Sequence, residues 1–292
     1  MWSNFAAPFL SRGLSFHPGP LPGEPAGETF ADIDGVRLRY VDSGKGTAVL
    51  FIHGFAASLE MWRRTFRAMA TRHRALAVDL KGFGWSARPR GDYSHEAQAA
   101  LLWKFLESRG VHEVALVGHS WGASVALAMA LQAPERVRRI ALYAAWVYQE
   151  QVPAFLPFAI GPFIGESLFS MLFQQRTRYR LALAFHDMRY VTHGLVSDVE
   201  QMMSLPGSAA TALAAMRSMN FAAQQQKYSR LTQPALLLWG RDDSVTPPKG
   251  VAERLGRDLR AGVHLYPSCG HFPMIEAARA SNRDLADFLA KG

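Results

Sequence analysis

Cysteine is nearly missing: Cys269 is the only one among 292 residues. No disulfide can form within the chain and no thiolate cluster can hold a metal. That composition suits a reducing compartment, and the expectation is a cytoplasmic protein. A charged segment leading into an apolar stretch of signal length is also lacking at the start, so export by that route is not expected. Residues 152–173 come closest to a membrane span, with no Lys or Arg and a single acid, Glu166. Pro153, Pro157, Gly161, Pro162 and Gly165 interrupt them, so two short helices fit better than one spanning helix. No histidine cluster has metal-ligand spacing, and the pair Gly82 and Gly84 is too short for a dinucleotide fingerprint. Neither a metal nor a cofactor is therefore expected. Acidic residues are the minority, 24 against 32 Lys and Arg, for a formal charge of +8. A basic balance can serve nucleic acid or anionic membrane. The arginines are scattered, densest at Arg63, Arg64 and Arg67 and at Arg136, Arg138 and Arg139. No basic stripe interleaved with aromatics appears, which argues against nucleic acid. What remains is a solvated basic surface, with weak peripheral attraction to anionic lipid as a further expectation.

Apolar residues, at 49%, suffice for one full-sized core. Residues 29–33 and 36–41 flank Asp34-Gly35 and read as a hairpin, because Asp-Gly supplies the positive φ angles of a tight turn. Short apolar runs follow at 48–52, 75–78, 114–117, 140–143, 235–239 and 263–266. Helical patterns lie between them, at 61–72, 95–109, 123–132, 249–259 and 277–290. Near-continuous apolar runs indicate strands buried on both faces, so the alternation predicts a mostly parallel, doubly wound α/β sheet. Residues 146–228 break the alternation. They are rich in Phe, Met, Leu and Ala without a convincing strand, as expected of a helical insertion. The predicted organisation is an irregular arm at 1–27, a core at 28–145 and 229–292, and a helical cap at 146–228.

The strongest motif is the apolar run ending at Val117 followed by Gly118-His119-Ser120-Trp121-Gly122 and a helix. A turn this tight excludes side chains at Gly118 and Gly122 and holds the serine strained, its hydroxyl aimed out of the sheet. A serine hydroxyl is a poor nucleophile without a base, and the base needs an orienting acid. Gly240-Arg241-Asp242-Asp243 follows one strand, and Cys269-Gly270-His271 follows the last.

These segments, with His53-Gly54-Phe55 and Asp79-Leu80-Lys81-Gly82-Phe83-Gly84-Trp85-Ser86, give a chain that resembles the α/β-hydrolase fold family from about Thr29 to its end. The resemblance implies Ser120 as nucleophile, His271 as general base and Asp243 as acid, with Asp242 the rival for the last role. It implies an oxyanion hole formed by the backbone N–H groups of Phe55 and Trp121. His53 reads as a structural turn histidine, Asp79 as part of a turn supporting the site, and Cys269 as a small buried filler.

The elbow resembles that of haloalkane dehalogenases and epoxide hydrolases, which use aspartate at the position of Ser120. Serine points instead to acyl transfer, on a small lipophilic ester as the expected substrate. The runner-up is a C–C bond hydrolase of ring-cleavage diketones, weakened because a tryptophan soon after the histidine, which resemblance to that group implies, is missing from Phe272-Pro273-Met274-Ile275-Glu276. A proline-iminopeptidase-like peptidase, with Glu150, Glu166, Asp187, Asp198 or Glu200 holding a free amine, a cofactor-free haloperoxidase and a non-catalytic binding module are further alternatives.

Overall fold

The computed structural model describes residues 29–152 and 177–291. The expectations placed on the arm at 1–27 and on the apolar stretch 153–173 lie outside the described residues. Eight strands form one sheet: β1 (Thr29–Ile33), β2 (Val36–Ser43), β3 (Ala48–Ile52), β4 (Arg74–Val78), β5 (Val114–His119), β6 (Val137–Tyr143), β7 (Ala235–Gly240) and β8 (Gly262–Tyr266). Their spatial order is β1-β2-β4-β3-β5-β6-β7-β8, antiparallel for β1/β2 and β2/β4 and parallel from β4 onward. In the β1–β2 turn Asp34 and Gly35 have φ of 52° and 77°, as a tight hairpin requires.

The central strands bury both faces. Leu50, Ile52, Leu76, Val78, Leu116 and Leu142 join one apolar cluster, whereas Val49, Phe51, Ala75, Ala77, Val117, Ala141 and Tyr143 join another. This is the period of two expressed as two cores. Helices α1 (Arg63–Met69), α2 (His95–Ser108) and α3 (Trp121–Gln132) come from the first half of the core. Residues 121–130 of α3 are buried all round, because Gly, Ala and Ser let it press against β3, β5 and β6. The strand β8 departs from the expectation of burial on both faces. Its first four residues are exposed, because it is the last strand of the sheet and one side has no neighbour.

The described part of the insertion contains no strand. It supplies α4 (Thr177–Ala184), α5 (His193–Ser204), α6 (Ser208–Arg217) and α7 (Phe221–Gln225). The chain then returns through β7 to α8 (Val251–Leu259), β8, α9 (Pro273–Glu276) and α10 (Ala278–Leu289). No described helix is long and apolar enough to cross a membrane.

Candidate active site

The ends of three parallel strands converge. Ser120 follows β5, Asp243 lies just past β7, and His271 lies five residues past β8. Ser120 has φ 52° and ψ −122°, a strained conformation for a residue with a side chain. Crowded backbone enforces it. A Cβ on Gly118 would stand 2.6 Å from the Gly122 carbonyl oxygen, and one on Gly122 would stand 2.3 Å from that of His53. The Ser120 N–H donates to the Tyr143 carbonyl, and its own carbonyl accepts from Ala123 and Trp146. The turn is thus pinned on both sides by main chain.

His271 Nδ1 lies 2.9 Å from Asp243 Oδ2, so this nitrogen carries the proton and Nε2 keeps a free lone pair. Asp242 instead faces His186 at 3.7 Å. The Asp243 carboxylate is fully enclosed. Its Oδ1 accepts from the N–H groups of Val245 and Thr246, and its Oδ2 from Thr246 Oγ1 and Trp239 Nε1. Burial by itself would raise its pKa. The His271 charge and hydrogen bond and the Thr246 donors outweigh burial, and the pKa falls below the ordinary carboxylate value. No hydrogen bond joins Ser120 Oγ to His271 among the described residues. In free enzymes this link is commonly long and tightens on substrate.

The loop opposite the elbow begins at His53. Its Nδ1–H donates to the Gly54 carbonyl at 2.7 Å and its Nε2 accepts from the Leu80 N–H at 2.9 Å. Burial lowers its pKa, so it is a neutral tie between two loops. Asp79 braces the same region, accepting from Leu59 N–H, Trp85 N–H and Arg39 Nη1. The amides of Phe55 and Trp121 donate to no backbone or side-chain acceptor of the described residues, and the two rings stand edge to face, 6.2 Å between centroids. Cys269 is buried beside Gly270, and burial pushes its thiol pKa up; it is no thiolate at neutral pH.

Two groups not singled out from the sequence belong here. Thr246, above, holds the acid. Glu276, five residues beyond His271, accepts from Gly270 N–H through Oε1 and from His186 and Asp187 N–H through Oε2, at 2.8–2.9 Å. His271 N–H donates to the Ala184 carbonyl at 2.7 Å, Ser244 Oγ donates to that of Leu183, and Phe185 stacks on Phe272. The end of α4 is therefore stitched to the loops carrying both Asp243 and His271. A lone acid within the otherwise apolar run 272–278 is the sequence signal that points to Glu276. Ser120 and His271 are each only 5% exposed beneath this cover.

The sequence profile of the α/β-hydrolase fold matches residues 47–278, a stretch that contains the elbow, the acid and the histidine. The chain belongs to the α/β-hydrolase fold family. Among α/β-hydrolase relatives, it is 29% identical over 280 residues to the 2-hydroxy-6-oxo-2,4-heptadienoate hydrolase of Pseudomonas putida, covering 88% of this chain and 94% of that protein. It is 28% identical to the dihydrolipoyllysine-residue acetyltransferase component of the acetoin cleaving system of Cupriavidus necator, covering 92% of this chain and 72% of that one. The structure of a meta-cleavage product hydrolase from Pseudomonas fluorescens superposes with a TM-score of 0.77 at 26% identity, covering 89% of this chain and 97% of that one.

Proposed function

We propose that the protein is a serine hydrolase that cleaves carboxylic esters of lipophilic substrates through an acyl-enzyme. The observation that carries the reading is the buried Asp243–His271 pair, 2.9 Å apart, beside a serine on a positive-φ elbow. Ser120 Oγ attacks the ester carbonyl carbon as its proton passes to His271 Nε2. The oxyanion so formed faces the N–H groups of Phe55 and Trp121, each contributing on the order of 3 kcal/mol of transition-state stabilisation. Asp243 holds the imidazolium in place. Collapse breaks the carbon–oxygen bond, His271 returns the proton to the leaving alkoxide, and water repeats the sequence on the acyl-enzyme.

The identity of residue 120 selects this chemistry. A carboxylate attacking an alkyl carbon leaves an ester whose carbonyl water can attack; a serine would leave an inert ether. The lipophilic preference rests on the apolar composition of residues 152–173.

The relatives favour a second reading, hydrolysis of a carbon–carbon bond in a vinylogous diketone, with the same serine and histidine. A fluorophosphonate tests what both readings share. One adduct is expected by intact mass, on the peptide containing Ser120, and absent in Ser120→Ala; labelling that persists in the mutant would refute both. Turnover of nitrophenyl esters alongside an amide, an epoxide, a haloalkane and a vinylogous diketone separates them. Ester cleavage with an inert diketone upholds the first reading, and faster diketone cleavage replaces it with the second.

A further inference from the structure

Large apolar side chains that face water are unevenly placed. Among the described residues there are six, and two of them, Val263 and Leu265, belong to the edge strand β8. The other four, Tyr179, Leu183, Met188 and Val245, gather around the end of α4 and are between 46% and 61% exposed. Tyr179 and Leu183 stand four residues apart on α4 and share a face. Val245 comes beside them because the hydroxyl of its neighbour Ser244 donates to the Leu183 carbonyl. Met188 follows in the turn whose His186 and Asp187 N–H groups bind Glu276.

The rim of this patch is basic. Arg178, Arg180 and Arg189 on the cap, with Arg241 and Lys249 on the loop after β7, are all exposed. The acids beside them are fewer and already engaged. Asp187 pairs with Arg189 at 2.7 Å, Glu276 accepts from three N–H groups, and Asp242 faces His186. An apolar centre inside a cationic rim matches an anionic bilayer. The apolar side chains enter the boundary between headgroups and acyl chains, and the cations meet the headgroups. Tyr179, with its apolar ring and polar tip, is of the type enriched at that depth.

We infer that the end of α4 and Val245 form the face that docks this protein on an anionic bilayer. The net charge alone predicts only a diffuse attraction; the patch gives it an orientation. The same segment covers the catalytic base, since the Ala184 carbonyl accepts from His271 N–H and Phe185 stacks on Phe272. Docking there turns the loops of Asp243 and His271 toward the phase in which a lipophilic ester concentrates. That consequence rests on the hydrolase reading above and favours lipid over a protein as the occupant.

The test is co-sedimentation of the full chain with phosphatidylcholine vesicles, with and without phosphatidylserine. Binding is expected to the anionic vesicles at low salt, much less to phosphatidylcholine alone, and to weaken at high salt. Arg178→Gln should reduce affinity about fivefold, and Tyr179→Ser and Leu183→Ser about tenfold each. Tm should stay the same in Arg178→Gln and Tyr179→Ser, whose side chains are exposed. Arg138→Gln makes the same charge change at the start of β6, the end of the strands away from the site, and should leave binding nearly intact. Protein that stays in the supernatant with anionic vesicles at low salt would overturn the inference. So would equal losses in Arg138→Gln and Arg178→Gln, which would mean diffuse charge, or undiminished binding by Tyr179→Ser and Leu183→Ser. Sedimentation velocity without lipid that finds a dimer broken by Leu183→Ser would assign the face to a second copy instead. Turnover of p-nitrophenyl acetate without vesicles keeps the two readings apart. Vesicle binding by a protein inert to esters would leave the docking and sink the hydrolase reading; ester cleavage by a protein that ignores vesicles would do the reverse.

Discussion

The two sides of the site are built differently. On the sheet side, backbone determines position. Glycines at 118, 122 and 240 sit where a Cβ would meet main-chain oxygen at 2.6 Å or less, and His53, Asp79 and Asp243 have their polar atoms engaged. On the cap side, a few polar stitches from Glu276, Ser244 and His271 hold the end of α4 in place. Over-determined geometry suits chemistry that tolerates little displacement. A cover held by a few polar ties can differ between substrates without disturbing that geometry.

The largest effect that would separate the two sides is expected at Asp243. Asp243→Asn should lower kcat by about 10⁴, because an amide favours the wrong tautomer of His271, while Asp242→Asn should change it little. Steady-state kinetics of both variants check this, and the reverse ranking would break the assignment.

Acid stability comes next. The folded pKa of His95 is about 3 against an ordinary 6.5. Between those values the unfolded chain binds a proton that the folded one excludes, so stability falls as pH drops from about 6.5 toward 3. The loss reaches several kcal/mol at the acid end. His95→Leu should unfold at lower pH than the wild type, followed by circular dichroism; coincident curves would show that His95 is not neutral and buried.

A third effect probes the rigid side. A Cβ at Gly240 would lie 1.9 Å from the Gly270 carbonyl oxygen and 2.3 Å from that of Cys269. Neither is a flexible side-chain end, so Gly240→Ala should cost about 3 kcal/mol or more, roughly 10 °C in Tm. Calorimetry showing an unchanged Tm would mean the two loops are less fixed than their contacts imply.

The smallest effect sharpens the boundary. Glu276→Gln keeps one acceptor but sets an amide against two N–H donors. A fall of about tenfold in kcat with little change in KM is expected if Glu276 positions the His271 loop. A change in KM alone would assign it to the cap.

Much of the fold was legible because periodicity reports burial. Near-continuous apolar runs marked the central strands as buried on both faces, and Asp34-Gly35 marked its turn through φ alone. The edge position of β8 was not legible, since Val263 and Leu265 are as apolar as any core pair and only the strand order exposes them. The elbow was legible because Gly118 and Gly122 are small for a steric reason that acts within a few residues. Thr246 and Glu276 were not, since their partners come from other loops and, for Glu276, from the cap.

The sequence by itself therefore determined the strands and the residue types available for chemistry, because these follow from local sterics and hydrophobic period. Which acid of Asp242 and Asp243 meets His271, and which groups tie the end of α4 to the loops carrying them, was decided by tertiary structure. Those facts depend on how loops from distant strands cross at the sheet's edge, and no pattern within one segment contains that distance.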